Sequence, residues 1–123
     1  MKKLAFILSI CISISTIAQQ PASIPAALMI TPEKSNFEKT SSHADVMQFL
    51  NTIKTMSPYI QVGSIGKSTL GKDIPYAVLA NPAISSPEQA KQSGKPVVYI
   101  QGNIHGGEVE GKEVSMMLMR DIL

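Results

Sequence analysis

The amino-acid sequence predicts an α/β fold, and three observations lead to this prediction. Residues 96–102, PVVYIQG, form a nearly continuous apolar run, which is typical of a strand that is buried on both faces of a sheet. A pair of glycines and then a helical pattern from about Glu108 follow this run. Upstream, residues 59–65 and 73–80 are rich in β-branched and aromatic side chains, and a short glycine-bearing loop joins them. This arrangement predicts an antiparallel hairpin.

Residues 1–18 have the layout of a secretory signal peptide. Lys2 and Lys3 precede an apolar run over residues 4–17, and the small residue Ala18 predicts cleavage after it. The run is shorter than the roughly 20 residues that cross a bilayer, so a transmembrane anchor is the weaker alternative. A lipoprotein signal fits poorly as well, because the bulky Ile10 precedes the only cysteine. We therefore expect an exported protein, either periplasmic or extracellular.

Charge and cysteine content limit the partners of the mature chain. Removal of residues 1–18 takes away two lysines and no acidic residue, so 11 − 2 = 9 basic residues face 9 acidic ones. This balance argues against a nucleic-acid partner, and against a membrane partner once the signal peptide is removed. The only cysteine is lost with the signal peptide, so no disulfide is expected. The composition contains no signal for a particular oligomeric state.

The segment after the signal peptide is predicted to be an arm that leads into a helix. Residues 19–40 contain three prolines and no clear period, which predicts an exposed arm on the domain surface. Ser41 or Ser42 can cap the helix that follows, and Ser57-Pro58 ends it. The apolar stripe of this helix consists of Val46, Phe49, Leu50 and Ile53. His43, in its first turn, is interpreted as an ordinary surface histidine.

Two further helices are predicted on either side of the apolar run. Residues 81–95 form a connector in which Ser86-Pro87-Glu88 begins a short surface helix and Gly94 ends it. The last helix, from about Glu108, is expected to be largely buried. Its apolar side is predicted to consist of Val114, Met117, Leu118 and Ile122, widened by Met116 and Met119.

The stretch IHGGE lies between the apolar run and the last helix. His105 follows the carboxyl end of the predicted strand, where open α/β sheets bind ligands, and Glu108 lies in the first turn of the helix. Gly106 and Gly107 are expected to let the backbone fold sharply, so that both side chains face one point. Imidazole nitrogen and carboxylate oxygen are suitable zinc ligands. Helix capping by Glu108 is the alternative that the spacing leaves open.

The stretch GNIHGGEVEGKE, placed after PVVYIQ, resembles the first metal-binding segment of the zinc carboxypeptidase family, the carboxypeptidase A-like metallopeptidases. The resemblance extends over roughly residues 40–123 and includes the capped helix, the GKSTLGKDI turn and the NP connector. It implies a mixed central sheet with helices on both faces. It also implies that residues 41–123 are the N-terminal part of a catalytic domain, truncated here, which follows an arm at 19–40.

The resemblance assigns His105 and Glu108 as two of three zinc ligands, with Zn²⁺ as the cofactor. A third ligand, a histidine, and the catalytic glutamate are expected further downstream, so no catalytic residue is assigned within this chain. The implied activity is that of an exported metallocarboxypeptidase that hydrolyses a peptide substrate, with zinc activating water and the glutamate transferring its proton. The chain alone is expected to be inactive. Gly107 stands where digestive members carry an arginine, so C-terminal specificity stays open.

Two alternatives remain beside this interpretation. A zinc deacylase of the aspartoacylase and desuccinylase type also uses H-x-x-E, but usually as HGNE and usually in the cytosol. A member of the fold that has lost its catalytic glutamate would be a non-catalytic binding module. Glu110 and Glu113, with Lys112, are interpreted as solvated residues or as residues that support the site from the helix.

Overall fold

The computed structural model of the protein describes residues 24–123, so the predicted signal peptide lies outside the described residues. A short 3-10 helix at Ala26–Leu28 comes first. The remaining elements are α1 (Thr31–Lys34), α2 (His43–Met56), β1 (Ile60–Lys67), β2 (Asp73–Leu79), α3 (Pro87–Gln92) and α4 (Glu110–Ile122). Within residues 24–123, no helix has both the length and the apolar character needed to cross a membrane.

Helix α2 forms as its sequence predicts. Ser42 is the N-cap: its hydroxyl accepts from the Asp45 amide, while the Asp45 carboxylate accepts from the Ser42 amide at 2.7 Å. Phe49, Leu50 and Ile53 are buried along one face. The helix ends at Met56, just before Ser57-Pro58. The short helix α3 is also confirmed, with Ser86 as its N-cap.

Strands β1 and β2 form the predicted antiparallel hairpin, in which Ile60 pairs with Leu79 and Val62 with Ala77. Gly71 has a φ of +73° in the connecting turn, a conformation that glycine adopts without a steric cost. This hairpin is the whole sheet in the described part of the chain. The structure therefore combines helices with a two-stranded sheet, and the mixed central sheet with helices on both faces is not seen in residues 24–123.

The apolar core lies between the N-terminal segment, α2, β1 and α4. It consists of Leu28, Ile30, Phe49, Leu50, Ile53, Ile60 and Met116. The expectation of an exposed arm is wrong for the part of it that includes Leu28 and Ile30, because both side chains are buried. These two residues lie at the ends of very short helical turns, where no period develops that a sequence pattern could reveal. The segment is therefore part of the domain core.

The apolar run that the sequence predicts as a buried strand is neither a strand nor buried. Val97, Val98 and Tyr99 are 77–80% exposed, and no strand is assigned to residues 95–104. A strand that is buried on both faces needs paired neighbours and covering helices. Strands β1 and β2 pair only with each other in the described residues, so this run has neither.

Helix α4 begins at Glu110, two residues after the predicted start, and only part of its predicted apolar side faces the core. The buried residues of the helix are Glu113 and Met116. Of the predicted apolar side, Met116, Met117 and Met119 contact the core, whereas Val114, Leu118 and Ile122 are exposed. The prediction of a largely buried helix is therefore wrong. A stripe of apolar residues can be buried only where another element covers it, and α2 and the core cover only part of the apolar side of α4.

An ion pair joins α4 to α1. The Arg120 guanidinium donates from Nη1 to Glu33 Oε2 at 2.8 Å and from Nη2 to Glu33 Oε1 at 2.9 Å. Both side chains are shielded, with 7% and 11% of their surface exposed. Hydrogen bonds from Arg120 hold the pKa of the Glu33 carboxyl below its ordinary value, although burial opposes this effect. The pair fixes the N-terminal segment against the last helix.

We expect Glu33→Gln to lower the free energy of unfolding at pH 7 by about 2 kcal/mol, since it removes a charged hydrogen-bond acceptor. A carboxyl with a lowered folded pKa stabilises the fold above its unfolded pKa of about 4.3, and this contribution is lost as the pH falls through the folded value. The difference between variant and wild type should therefore shrink below about pH 4. Urea unfolding across this range measures it, with exposed Glu38→Gln as the control. A difference that is independent of pH would contradict the assignment.

Candidate metal centre

His105 and Glu108 meet in the loop that leads into α4. The Nδ1 atom of His105 lies 2.5 Å from Oε1 of Glu108. The His105 amide donates to Glu108 Oε2 at 3.3 Å, and the Glu108 amide donates to the His105 carbonyl at 3.2 Å. These reciprocal bonds form a single turn. The structure thus brings together the two residues that the sequence predicts as ligands.

The pair is open to solution. The His105 side chain is 80% exposed and the Glu108 side chain is 40% exposed, so an ion can reach both donor atoms. Two ligands at corners of a zinc tetrahedron lie about 3.3 Å apart when the bonds are about 2.0 Å long. The observed 2.5 Å is a hydrogen-bond contact, so the two side chains would have to separate slightly to hold a zinc ion between them.

The donor set fits part of a zinc site. One imidazole nitrogen and one carboxylate converge, and both belong to the ligand types that zinc prefers. Among residues 24–123, no group of three or more histidine, cysteine, aspartate or glutamate side chains is arranged to hold a metal ion. A catalytic zinc site takes three protein ligands, so at least one further donor is needed. The ligand role of the pair stays a prediction.

Two glycines outside the H-x-x-E motif hold the loop close to α4. A Cβ added to Gly102 would lie 2.7 Å from the Gly111 carbonyl carbon, and one added to Gly111 would lie 2.7 Å from Gly102 Cα. The backbones therefore touch, and any side chain at either position would separate them. By contrast, a Cβ at Gly106 or Gly107 would meet nothing within 4 Å, and neither glycine has a positive φ. Gly106 and Gly107 do lie at the centre of the turn that the Glu108 amide closes on the His105 carbonyl, as the sequence predicts, but the turn does not use a backbone conformation that only glycine adopts.

Asn103 lies outside the H-x-x-E motif, and the sequence does not predict a role for it at the site. Its Nδ2 donates to the Glu108 carbonyl at 2.5 Å, and its Oδ1 accepts from the Lys112 amide at 2.8 Å. Its φ is +58°, in the left-handed region that asparagine tolerates better than most residues. The sequence feature that could have indicated this role is an asparagine two residues before the histidine, since asparagine is common in turns.

Glu113, which the sequence leaves as either solvated or supporting the site, is buried. Its carboxylate accepts from the Thr40 hydroxyl at 2.7 Å and from the Ser41 amide and hydroxyl at 2.6 and 2.7 Å. Burial raises the pKa of Glu113, but these hydrogen bonds outweigh it and hold the pKa below its ordinary value. The interpretation as a residue that supports the site fits better, because Glu113 ties the start of α2 to the first turns of α4. Lys112 also reaches the Thr40 hydroxyl, at 2.7 Å.

Comparison with known protein families finds a match for this chain. The family model described as zinc carboxypeptidase matches residues 46–123, which include most of α2, the hairpin, the His105–Glu108 pair and α4. No curated protein and no solved structure matches the chain. The family match covers more than half of the 123 residues. Its range contains the loop in which an imidazole and a carboxylate converge, and on this basis the chain belongs to the zinc carboxypeptidase family.

Proposed function

We propose that the protein is an exported, zinc-dependent metallocarboxypeptidase that hydrolyses peptide bonds. Membership in a family of zinc-dependent hydrolases supports hydrolysis in general. The observation that carries the proposal is the convergence of His105 Nδ1 and Glu108 Oε1 on one exposed point inside the matched range. The predicted signal peptide supports export to the periplasm or the extracellular space.

His105 and Glu108 are the residues that would hold the metal ion. A bound zinc supplies a Lewis acid and lowers the pKa of water. Nδ1 of His105, the nitrogen that faces Glu108, would be the imidazole ligand, and the Glu108 carboxylate would offset part of the charge of the cation. The small Gly107 leaves space around the pair, since a Cβ there would meet nothing within 4 Å. A peptide can therefore approach this side of the loop.

We propose further that residues 41–123 are the N-terminal part of the catalytic domain. The exposed apolar run over residues 97–100 supports this, because such side chains are normally covered by neighbouring strands and helices. The third zinc ligand and the group that accepts the proton of water would lie in the part of the domain that covers this run.

The two alternative functions differ in their reaction. A deacylase would release an acyl group from an amino acid, and a non-catalytic member would bind its ligand without cleavage.

The proposal is tested on the protein expressed from its complete reading frame. We expect about one zinc ion per chain and release of the C-terminal amino acid from a peptide with a free carboxylate. A chelator should remove this activity, and added zinc should restore it. Matched peptides with an amidated C-terminus should be cleaved poorly, because a carboxypeptidase recognises the terminal carboxylate.

The other outcomes separate the alternatives. Hydrolysis of N-acyl amino acids in place of peptides would indicate the deacylase. Equal cleavage of free and amidated peptides would indicate an endopeptidase. Zinc binding with no hydrolysis of either substrate class would identify a non-catalytic member, and absence of zinc would contradict the proposal as a whole.

A further inference from the structure

We propose that Asn103 is a positioning residue of the metal centre, whose side chain holds the loop so that His105 and Glu108 face one point. The inference rests on the proposed zinc function, and its test separates the two. Asn103 would not touch the metal ion. It would act through its hydrogen bond to the backbone of Glu108.

The two ends of the Asn103 amide make different bonds. Nδ2 donates to the carbonyl of Glu108, and Oδ1 accepts from the amide of Lys112. One planar amide group thus connects Asn103 to the backbone of Glu108, the second predicted ligand, and to the first turn of α4. The turn between His105 and Glu108 lies inside the loop that these bonds close.

The bond to Lys112 takes the place of a missing helix cap. The first four amides of a helix have no partner within it, and an N-cap side chain usually accepts from the second or third helical residue. The N-cap of α4 is Val109, which has no side chain that can accept. Lys112 is the third residue of α4, so Asn103 caps this helix from nine residues upstream. This cap accounts for the start of α4 at Glu110, where the loop ends.

The Gly102–Gly111 contact keeps Asn103 within reach of α4. A Cβ on Gly111 would lie 3.0 Å from the Asn103 amide nitrogen and 3.3 Å from its Oδ1, so the helix backbone and the asparagine are in direct contact. The left-handed backbone at Asn103 then aims the amide at the helix. Most of the loop is exposed, so few other contacts hold it in place.

Loss of the Asn103 amide should therefore loosen the loop and weaken metal binding. Residues that orient metal ligands from the second layer typically contribute 10- to 100-fold in metal affinity. His105 and Glu108 would still be present, but the loop would have to be ordered when the metal ion binds, and this ordering would lower the affinity.

The experiment uses three variants of the protein expressed from its complete reading frame. Asn103→Gly removes the side chain and still permits the positive φ. Asn103→Asp keeps an acceptor for the Lys112 amide and removes the donor to the Glu108 carbonyl. Asn36→Gly is the matched control. It makes the same substitution outside the loop, at a residue that also has a positive φ, of +53°.

Zinc affinity is measured by competition with a chelator, and ligand geometry by the visible absorption of the Co²⁺-substituted protein. We expect Asn103→Gly to weaken zinc binding about 10- to 100-fold and to change the Co²⁺ spectrum, Asn103→Asp to have an intermediate effect, and Asn36→Gly to match the wild type. Hydrogen exchange at the Lys112 amide in the metal-free protein should accelerate in Asn103→Gly, because its acceptor is gone.

Three results would overturn the inference. If Asn103→Gly retains the wild-type affinity and spectrum, Asn103 does not position the ligands, and the zinc function stands without it. If affinity falls only as much as stability in urea and the Co²⁺ spectrum is unchanged, Asn103 is a structural cap. If the wild type itself binds no zinc, the proposed function fails first, and the inference fails with it.

Discussion

His105→Ala is expected to reduce the zinc content of the protein from about one ion per chain to near zero after dialysis. Structural zinc sites bind with roughly 10–16 kcal/mol spread over four ligands, so each ligand contributes about 3 kcal/mol, or more than about 100-fold in affinity. Nδ1 of His105 is the only imidazole donor at this loop among the described residues. Metal analysis and chelator competition measure the effect, and hydrolysis should be lost in parallel.

The second histidine provides the matched control. His43 contacts the Asp73 carbonyl through Nε2 at 2.8 Å and lies at the start of α2, so His43→Ala should retain zinc. Glu108→Gln should behave like His105→Ala, whereas Glu110→Gln changes an exposed carboxylate two residues away and should have no effect on zinc. Retention of zinc in both His105→Ala and Glu108→Gln would show that these residues are not ligands.

Glu113→Ala is expected to destabilise the protein by about 3 kcal/mol, a large share of the roughly 5–15 kcal/mol that stabilises a domain. The substitution removes the acceptor of three hydrogen bonds and leaves the amide and hydroxyl of Ser41 without a partner in a buried position. A buried donor without a partner costs about 1–3 kcal/mol. Urea unfolding at pH 7 measures the change.

Two further variants show whether this effect depends on burial and charge. Glu110→Ala removes from the same turn of α4 an exposed carboxylate that accepts from the exposed Val109 amide at 2.9 Å, and it should change stability by about 1 kcal/mol or less. Glu113→Gln keeps one oxygen acceptor and the shape of the side chain, so its effect should fall between the two. Equal stability of Glu113→Ala and Glu110→Ala would mean that the contacts of Glu113 with Thr40 and Ser41 contribute nothing to the fold.

The candidate site was partly predictable. The spacing of His105 and Glu108 in a strand–loop–helix context led to the pair, and the structure places their donor atoms side by side. The sequence pattern did not lead to Asn103, because an asparagine in a loop is common and its role depends on a helix cap formed nine residues away. It pointed to Glu113 as a possible supporting residue but not to its burial or its partners, which lie more than 70 residues upstream.

The elements that follow local rules were determined by the sequence alone. The Ser42 cap, the apolar stripe of α2, the glycine-bearing hairpin and the Ser86-Pro87 start of α3 each depend on neighbours within a few residues. Only the tertiary structure decided which apolar segments are buried. It placed Leu28 and Ile30 in the core, turned Glu113 and Met116 inward, and left residues 97–100 exposed. The physical reason is that burial requires a second surface, and a sequence pattern shows that a segment can be covered but does not show what covers it.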